Sequence, residues 1–279
     1  MTKIKIITDS TAGITSEEQM KYDITVLPLT VEIDGKNYNA ETDLTAESFM
    51  SLMEQAKTLP KSSQPAIGHF ISTYQKYIDE GYQILSFHLT EHLSGTVNTA
   101  RQAADIVGGD ITVIDTGFIA RAQAFQVLEA AKMVGLGTFS MAQIMEKITN
   151  IRNKTKLYIV VVTLENLIKG GRIGSLQGLI GSLLNIKLLA RLTDGKLQEE
   201  TKQRSNKKII QQLLDMVKKE AQEVVACDIV QANGLKSAET LKEQLTAFVH
   251  STDISIFAAD PVISTHAGPG AYAIMYYTE

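Results

Sequence analysis

The sequence predicts an α/β protein with two α/β domains, the first of which has a mostly parallel sheet. Three observations support this class: short apolar runs alternate with longer amphipathic segments, polar residues follow the apolar runs, and the pattern changes near residue 155. In the βαβ arrangement that such alternation predicts, crossover helices join parallel strands, so the loops after the strands meet at one edge of the sheet.

The first domain is predicted to span residues 1–155. Its apolar runs predict strands at 4–8, 24–32, 83–89 and 111–114. Its amphipathic segments predict helices at 96–107, 120–133 and 141–153. We therefore expect the polar residues that follow Thr8, Leu89 and Ile114 to share one sheet edge.

The second domain is predicted to span residues 156–279 and has a different order of elements. Its strands are expected at 157–164, 224–231 and 253–258, with a hairpin over 187–200 that turns at Asp194-Gly195. Its helices are expected at 176–184, 205–220 and 237–248, with a final helix beginning near Gly268.

Composition and charge restrict the classes of function. The chain has 279 residues, of which 44% are hydrophobic and 21% charged, and its net charge of -4 comes without any basic run, so we expect no nucleic-acid partner. A single cysteine, Cys227, excludes an internal disulfide, and the N-terminus shows no secretory apolar region, so the cytoplasm is expected. No apolar stretch reaches the roughly 18 residues of a membrane span.

Four short segments beside the strand-like runs contain hydroxyl side chains, an imidazole and glycines whose backbone is uncovered. They are 8–11 (Thr-Asp-Ser-Thr), 62–65 (Ser-Ser-Gln-Pro), 93–96 (Leu-Ser-Gly-Thr) and 265–270 (Thr-His-Ala-Gly-Pro-Gly). Loops that lead from a strand into a helix commonly bind anions through hydroxyls and free N–H groups. These segments therefore predict a site for a small anion such as a carboxylate or phosphate.

Ser94 has three interpretations on the residues alone. It is a helix cap, or its hydroxyl receives a ligand oxygen together with the N–H groups of Gly95 and Thr96, or it is a nucleophile. The nucleophile elbow requires Gly-x-Ser-x-Gly, whereas this chain has His92 and Thr96 at the glycine positions. A serine acyl-hydrolase or small-molecule transferase that uses Ser94 with His266 nevertheless stays open, as does a sugar- or nucleotide-binding regulator with a polar pocket.

The histidines and Asp9 also have ordinary structural explanations. His88 and His92 are four residues apart, a metal-ligand spacing on a helix, but they are expected on a strand end and a loop, so no metal site is predicted. Asp9 fits an Asx turn as well as a ligand role. His266 is the better ligand candidate, because the glycines at 268 and 270 let backbone approach closely.

A group of apolar residues near a glycine-rich turn predicts a tunnel for an alkyl chain, with an ordinary core as the alternative. The residues are Leu179, Ile180, Leu183, Leu184 and Ile186.

Six motifs in order resemble the DegV family over residues 4 to 277. Besides the four polar segments, which extend to Ala12 and Ala271, they are 169–173 (Lys-Gly-Gly-Arg-Ile) and 181–187 (Gly-Ser-Leu-Leu-Asn-Ile-Lys). The resemblance implies a two-domain protein that encloses one long-chain fatty acid between its domains. It implies the role of the fatty-acid-binding subunit of bacterial fatty acid kinase, with no catalysis or cofactor of its own. A separate ATP-dependent kinase then phosphorylates the bound carboxylate to an acyl phosphate for phospholipid synthesis, and transient contact with a membrane surface stays open.

The resemblance also implies roles for individual residues. The carboxylate would meet the hydroxyls of Ser62 and Ser94 with His266 close by, while Arg172 and Arg204 would face outward to meet the kinase. Two departures from the family pattern stand out. Residues 120–124 read Ala-Arg-Ala-Gln-Ala where the family tends to show Ser-Met-Gly-x-Gly, and Leu188 replaces a usual proline.

Overall fold

The computed structural model describes residues 3–179 and 186–279, in which strands and helices alternate. The strands are β1 (Lys3–Asp9), β2 (Ile24–Leu27), β3 (Thr30–Ile33), β4 (Lys36–Asn39), β5 (Lys61–Ser63), β6 (Tyr82–His88), β7 (Ile111–Asp115), β8 (Thr155–Val161), β9 (Lys187–Thr193), β10 (Lys196–Gln203), β11 (Val224–Ala232), β12 (Ile254–Ala258) and β13 (Ala271–Thr278). The α-helices are α1 (Ser16–Tyr22), α2 (Ala46–Gln55), α3 (Ile67–Asp79), α4 (Thr96–Val107), α5 (Ala120–Leu136), α6 (Met141–Lys154), α7 (Glu165–Lys169), α8 (Asn206–Lys218), α9 (Leu235–Leu245) and α10 (Pro261–Ala267).

The first sheet is parallel throughout, in the order β2-β1-β6-β7. Ile6 of β1 pairs with Ile24 of β2 and with Leu85 of β6, so β1 is a central strand with apolar neighbours on both sides. His88 pairs with Asp115 at the ends of β6 and β7. The predicted α/β class with a parallel sheet is confirmed, and the loops after β1, β6 and β7 share one edge.

A second sheet of six strands, in the order β10-β9-β8-β13-β11-β12, is antiparallel except for its β11–β12 pair. The predicted hairpin at its edge is correct, since β9 and β10 turn at Asp194 (φ 49°) and Gly195 (φ 73°). Two residues with positive φ are what a two-residue type I′ turn requires. Leu188, at the second position of β9, is almost fully buried in this sheet.

A third sheet, in the order β4-β3-β5, corrects the predicted strand 24–32. That run is two strands in two different sheets, β2 and β3, separated at Pro28 and Leu29. Proline has no N–H for a strand ladder and fixes its own φ, so the chain leaves the first sheet there. In the third sheet Val31 pairs with Ser62, which fixes the position of β5.

The C-terminal prediction is also wrong. The last helix, α10, ends before Gly268, and the predicted helix after it is strand β13, in the middle of the second sheet. Asp260 caps α10 and Pro261 occupies its first turn, while Gly268 (φ 76°) and Gly270 (φ 82°) adopt left-handed backbone that ends it. The predicted helix 176–184 is a 3-10 helix over Gly174–Leu179, and its remainder lies outside the described residues.

Helix α5 is buried against both large sheets. Ala124 and Val127 pack with Ile6 of the first sheet, whereas Ala122 and Phe125 pack in a core built on the second. The predicted domain boundary near residue 155 coincides with the direct passage from α6 into β8 and stays a prediction. None of the helices within residues 3–179 and 186–279 has the length and apolar character needed to cross a membrane.

Candidate functional site

A cavity of about 310 Å³, here called the main cavity, lies where the first sheet's edge loops meet the third sheet, α10 and β8. Its polar lining includes Thr11, Ser62, Gln64, Ser94, Arg172 and His266. Its apolar lining includes Leu29, Leu89, Leu157, Ile159, Leu167 and Leu197. The volume is at the lower end of ordinary small-molecule sites.

Ser62 and His266 are in direct contact in this cavity. The Oγ of Ser62 lies 2.8 Å from Nε2 of His266. Burial, with a smaller contribution from the charge of Arg172, lowers the pKa of His266 to about 4. The imidazole is therefore neutral at pH 7 and carries one ring proton.

The other ring nitrogen of His266, Nδ1, is buried and has no hydrogen-bond partner among the described residues. The ring lies directly against Gly170, where a Cβ would overlap the imidazole and approach the carbonyl oxygen of Asn166 to 2.9 Å. Asn166 in turn donates through Nδ2 to the carbonyl oxygen of Thr265 at 2.9 Å. Helix α7 and the turn after it therefore fix the position of the His266 ring.

Ser94 forms local hydrogen bonds at the start of α4. Its Oγ lies 2.8 Å from Oγ1 of Thr96 and accepts from the Thr96 N–H at 3.3 Å. The Thr96 N–H that we predicted as a ligand donor is thus already bonded to Ser94, and Thr96 is fully buried. Gly95 lines the cavity beside Gln64, whose amide nitrogen bonds Oγ1 of Thr99.

The two arginines predicted to face outward occupy different places. Arg172 lines the cavity and donates from Nε to the carbonyl oxygen of Leu93 at 3.2 Å and from Nη1 to that of Gly170 at 2.6 Å. These two carbonyls hold the half-buried guanidinium of Arg172 at the cavity, and its contact with the kinase stays a prediction. Arg204 lines a separate surface cavity together with Lys202 and Lys208.

Five polar side chains line this cavity together and are here named the polar cluster: Ser62, Gln64, Ser94, Arg172 and His266. The Ser62 and His266 side chains touch, the charge of Arg172 acts on His266, and the Arg172 guanidinium bonds the residue before Ser94. The cluster offers hydroxyl, amide and guanidinium donors to a ligand, and the rest of the wall is hydrocarbon. Such a cavity suits an amphipathic molecule with an anionic head.

Of the five predicted tunnel residues, Ile186 alone has a described side chain. Ile180, Leu183 and Leu184 lie outside the described residues, and for Leu179 only the backbone at the end of the 3-10 helix is described. Ile186 lines the surface cavity of Arg204, and its place in an alkyl tunnel stays a prediction.

In the described part of the chain, the apolar wall comes from residues on separate elements. Leu157 and Ile159 alternate on β8, and Ile263 precedes His266 by three residues on α10. Spacings of two on a strand and three on a helix place side chains on one face, so this signal is in the sequence. A search for a continuous apolar segment misses it.

His88 belongs to a buried network rather than to a metal site. Its Nδ1 lies 3.0 Å from Oδ2 of Asp9, and its Nε2 lies 2.8 Å from Oγ of Ser86. Asp9 also accepts from the N–H of Thr11 at 3.1 Å, as the Asx turn predicted. Across the described ranges, no group of three or more His, Cys, Asp or Glu side chains is placed to hold a metal ion.

The residues at 120–124, which depart from the family pattern, include an arginine that lies between α1 and β11. Arg121 donates to Oδ2 of Asp228 on β11 at 2.9 Å and to both carboxylate oxygens of Glu18 on α1 at 2.8 Å. Although burial opposes its charge, these carboxylates raise the pKa of Arg121. Ala120, at φ 54°, has the left-handed backbone that L-residues seldom adopt. Arg121 therefore links α5 to α1 and to β11 of the second sheet, and it does not line the main cavity.

Comparisons with known proteins agree on one family. A family model described as "Uncharacterised protein, DegV family" matches residues 3–279. A DegV domain-containing protein of Listeria monocytogenes is 62% identical over 279 residues, the whole of both chains. A DegV family protein from Thermus thermophilus, described by its fatty acid binding, superimposes with a TM-score of 0.93 at 26% identity, covering 99% of this chain and 100% of that one. DegV of Bacillus subtilis, described as a fatty acid binding protein, gives 0.92 at 28% identity over all of both chains.

Proposed function

Because the chain belongs to the DegV family, we propose that it binds one long-chain fatty acid and presents the carboxylate to a separate ATP-dependent fatty acid kinase. The product of that kinase would be an acyl phosphate for phospholipid synthesis. The observation that carries the proposal is the main cavity, in which the polar cluster stands beside a hydrocarbon wall.

The energetics of this cavity favour a fatty acid. Each CH₂ group transferred from water to a hydrocarbon wall contributes about 0.8 kcal/mol, so the alkyl chain supplies most of the affinity. A carboxylate buried without partners costs several kcal/mol, and the hydroxyls and the guanidinium of the polar cluster offset that cost. The head group therefore sets the orientation of the ligand.

A neutral His266 would orient the Ser62 hydroxyl toward the ligand. With its proton on Nε2, it donates to Oγ of Ser62, and the Ser62 hydroxyl proton is free to donate to a carboxylate oxygen. Nδ1 is then unprotonated, and no hydrogen-bond partner lies beside it in the described part of the chain. The Ser94 hydroxyl is the second proposed donor, with Gly95 backbone and Arg172 nearby.

The proposed encounter with the kinase uses the positive groups outside the cavity. Arg204 stands with Lys202 and Lys208 on the surface, where charges act on association rates more than on final affinity. The kinase would supply ATP, an oriented carboxylate oxygen would attack the terminal phosphorus of ATP, and ADP would leave with the bridging oxygen.

The hydrolase alternative lacks the pairings that it needs. The Ser94 hydroxyl bonds Thr96 rather than His266, and no carboxylate in residues 3–179 or 186–279 contacts Nδ1 of His266 to orient it as a base. The hydrocarbon wall also disfavours a sugar or nucleotide ligand.

The decisive experiment is organic extraction of the purified protein followed by mass spectrometry, with thermal unfolding after addition of palmitate or oleate. We expect one fatty acid per chain and, at a hundredfold excess over the dissociation constant, about 2.7 kcal/mol of added stability. A protein that yields no lipid and shows no thermal shift would refute the binding proposal. A protein that binds a fatty acid which the kinase does not phosphorylate would refute the presentation step alone.

A further inference from the structure

The main cavity meets solvent on the side of the polar cluster. In the described part of the chain, three of its lining residues are exposed, namely Ser63, Gln64 and Gly95, and the remaining lining residues are buried or half-buried. Ser63 and Gln64 lie in the turn from β5 to α3, and Gly95 directly precedes α4. The mouth of the cavity therefore lies between these two segments.

The side chain of Gln64 reaches across this mouth. Its Nε2 donates to Oγ1 of Thr99, the fourth residue of α4. Its Oε1 lies over Gly95, where an added Cβ would overlap that oxygen. Gln64 therefore connects the turn after β5 to the first turn of α4.

The backbone of Gly95 does not require a glycine. Its φ of -72° and ψ of 1° are close to a turn conformation that most residues adopt. The missing side chain instead leaves the space that the Gln64 amide occupies. Both segments at the mouth are thus shaped for this contact.

The contact is easily broken. Gln64 is exposed, and within residues 3–179 and 186–279 its side chain has Thr99 as its only hydrogen-bond partner. Exposed side chains change rotamer within nanoseconds. Because Pro65 restricts the Gln64 backbone to extended conformations, rotation of the side chain is the simplest movement that uncovers the mouth.

We infer that Gln64 is a gate that controls how fast the fatty acid enters and leaves. This inference rests on the proposed fatty-acid binding. With the bond to Thr99 formed, the ligand is retained, and with the bond broken, the alkyl chain passes between Ser63 and Gly95. The tail enters first, so the carboxylate stops at the polar cluster beside the mouth.

A gate changes the exchange rates without changing the affinity. The bond between Gln64 and Thr99 lies outside the ligand and forms in the free and loaded protein alike, so weakening it destabilises both closed forms equally. The rates of entry and release are each proportional to the open fraction, so both rise by the same factor. A residue that binds the ligand would instead accelerate release and weaken binding.

The test follows radiolabelled palmitate and oleate between the protein and phosphatidylcholine vesicles, in the wild type, Thr99→Val and Gln64→Ala. Thr99 does not line the main cavity, so Thr99→Val breaks the bond without removing a ligand contact. We expect both transfer rates to rise about fivefold, the factor that the loss of one ordinary hydrogen bond produces, with an unchanged partition constant. Gln64→Ala should accelerate both rates at least as much, and it tests the gate from an exposed position if Thr99→Val does not fold.

Gln102→Ala is the matched control, because Gln102 is an exposed glutamine on α4 that does not line the main cavity. It should leave both rates unchanged. Unchanged rates in either Thr99→Val or Gln64→Ala would overturn the inference. Faster release with weaker binding in Thr99→Val, or an equal acceleration in Gln102→Ala, would overturn it as well. A wild type that takes up neither fatty acid would instead overturn the proposed function.

Discussion

Oγ of Ser62 and Nε2 of His266 lie 2.8 Å apart, although 204 residues separate them in the chain. The contact joins β5 of the third sheet to α10, which follows β12 of the second sheet. The hydroxyl is neutral, and burial lowers the pKa of His266 to about 4, which favours the neutral imidazole at pH 7. Their shared hydrogen bond can therefore orient a ligand without adding a charge.

Removing the hydroxyls of the polar cluster should affect presentation more than binding. A hydrogen bond to a charged group contributes about 1.5–3 kcal/mol, whereas the alkyl chain supplies most of the affinity. In Ser94→Ala and Ser62→Ala we expect phosphorylation by the kinase to fall about tenfold or more. Fatty-acid occupancy, measured by mass spectrometry, should fall much less.

The control is Ser72→Ala, an exposed serine on α3 outside the cavity, which should change neither quantity. Unchanged phosphorylation in the double variant Ser62→Ala, Ser94→Ala would contradict the assignment of the head-group site.

Gly170→Ala should displace His266. The backbone of Gly170 is ordinary right-handed helical, so alanine fits its conformation, but its Cβ would overlap the imidazole ring. We expect the Ser62–His266 bond to break and the chemical shift of the His266 ring to change, with loss of phosphorylation similar to that of Ser62→Ala. Gly135→Ala on α5 is the control, because no atom lies within 4 Å of its added Cβ. A Gly170→Ala protein with an unaltered His266 resonance would show that the ring is not held by this contact.

The pH dependence of stability should contain two opposing contributions on α10. Burial and Arg172 lower the pKa of His266 from 6.5 to about 4, so its contribution is lost as the pH falls from 6.5 to 4, where the unfolded chain takes up a proton. Burial, the first cause, and the charge of Asp9 raise the pKa of Asp260 from 3.8 to about 7. Its contribution therefore increases as the pH falls from 7 to 3.8, because the folded state binds the proton.

Denaturant unfolding of two variants across pH 4 to 7 separates these contributions. Relative to the wild type, His266→Gln should gain stability as the pH falls, and Asp260→Asn should lose it, each by at most about 1.4 kcal/mol per pH unit. Parallel curves for the wild type and both variants would show that neither group titrates differently in the folded and unfolded states.

The buried pair of Arg121 and Asp228 should be costly to break from one side. Replacing Arg121 by methionine leaves the Asp228 and Glu18 carboxylates without their cation, and loss of one partner of a buried pair costs about 3–5 kcal/mol. In the double variant Arg121→Met, Asp228→Asn we expect a loss smaller than the sum of the two single losses, since the variants share one interaction.

Arg101→Met is the matched control, because its pair with Glu91 is about half exposed and such pairs contribute under about 1 kcal/mol. Unfolding free energies of Arg121→Met and Arg101→Met that differ by less than the measurement error would contradict the role of Arg121 between α1 and β11.

Local patterns predicted most of the elements because strand and helix periods are properties of short segments. The parallel first sheet, the hairpin at Asp194 and the Asx turn at Asp9 followed from them. The last strand, β13, was mistaken for a helix because it is buried on both faces and its apolar residues show no alternation.

The sequence predicted those residues of the candidate site that stand in short polar motifs. Ser62, Ser94 and His266 stand in short polar motifs, and the structure places all three at one cavity. The apolar wall depends on which faces of β8 and α10 meet, and that is decided by tertiary packing. The role of Arg121 was likewise hidden, because its partner Asp228 is 107 residues away.

Arg172 and Arg204 should have separable effects because they occupy different surroundings. Arg204 lies with Lys202 and Lys208 in a surface cavity, so Arg204→Ala should slow association with the kinase and reduce its salt dependence while fatty-acid occupancy stays unchanged. Arg172 lines the main cavity and its charge lowers the pKa of His266, so in Arg172→Ala that pKa should rise toward its ordinary value.

The measurements are kinase association at two salt concentrations, lipid content by mass spectrometry, and titration of the His266 ring by NMR. For Arg172→Ala we expect weaker retention of the fatty acid as well, because the cavity loses its cation beside the proposed carboxylate position. Lys218→Ala, at the end of α8 and outside the Arg204 cavity, is the control for general surface charge. If Arg204→Ala loses lipid while Arg172→Ala keeps it, the two arginines have exchanged roles and the head group lies elsewhere.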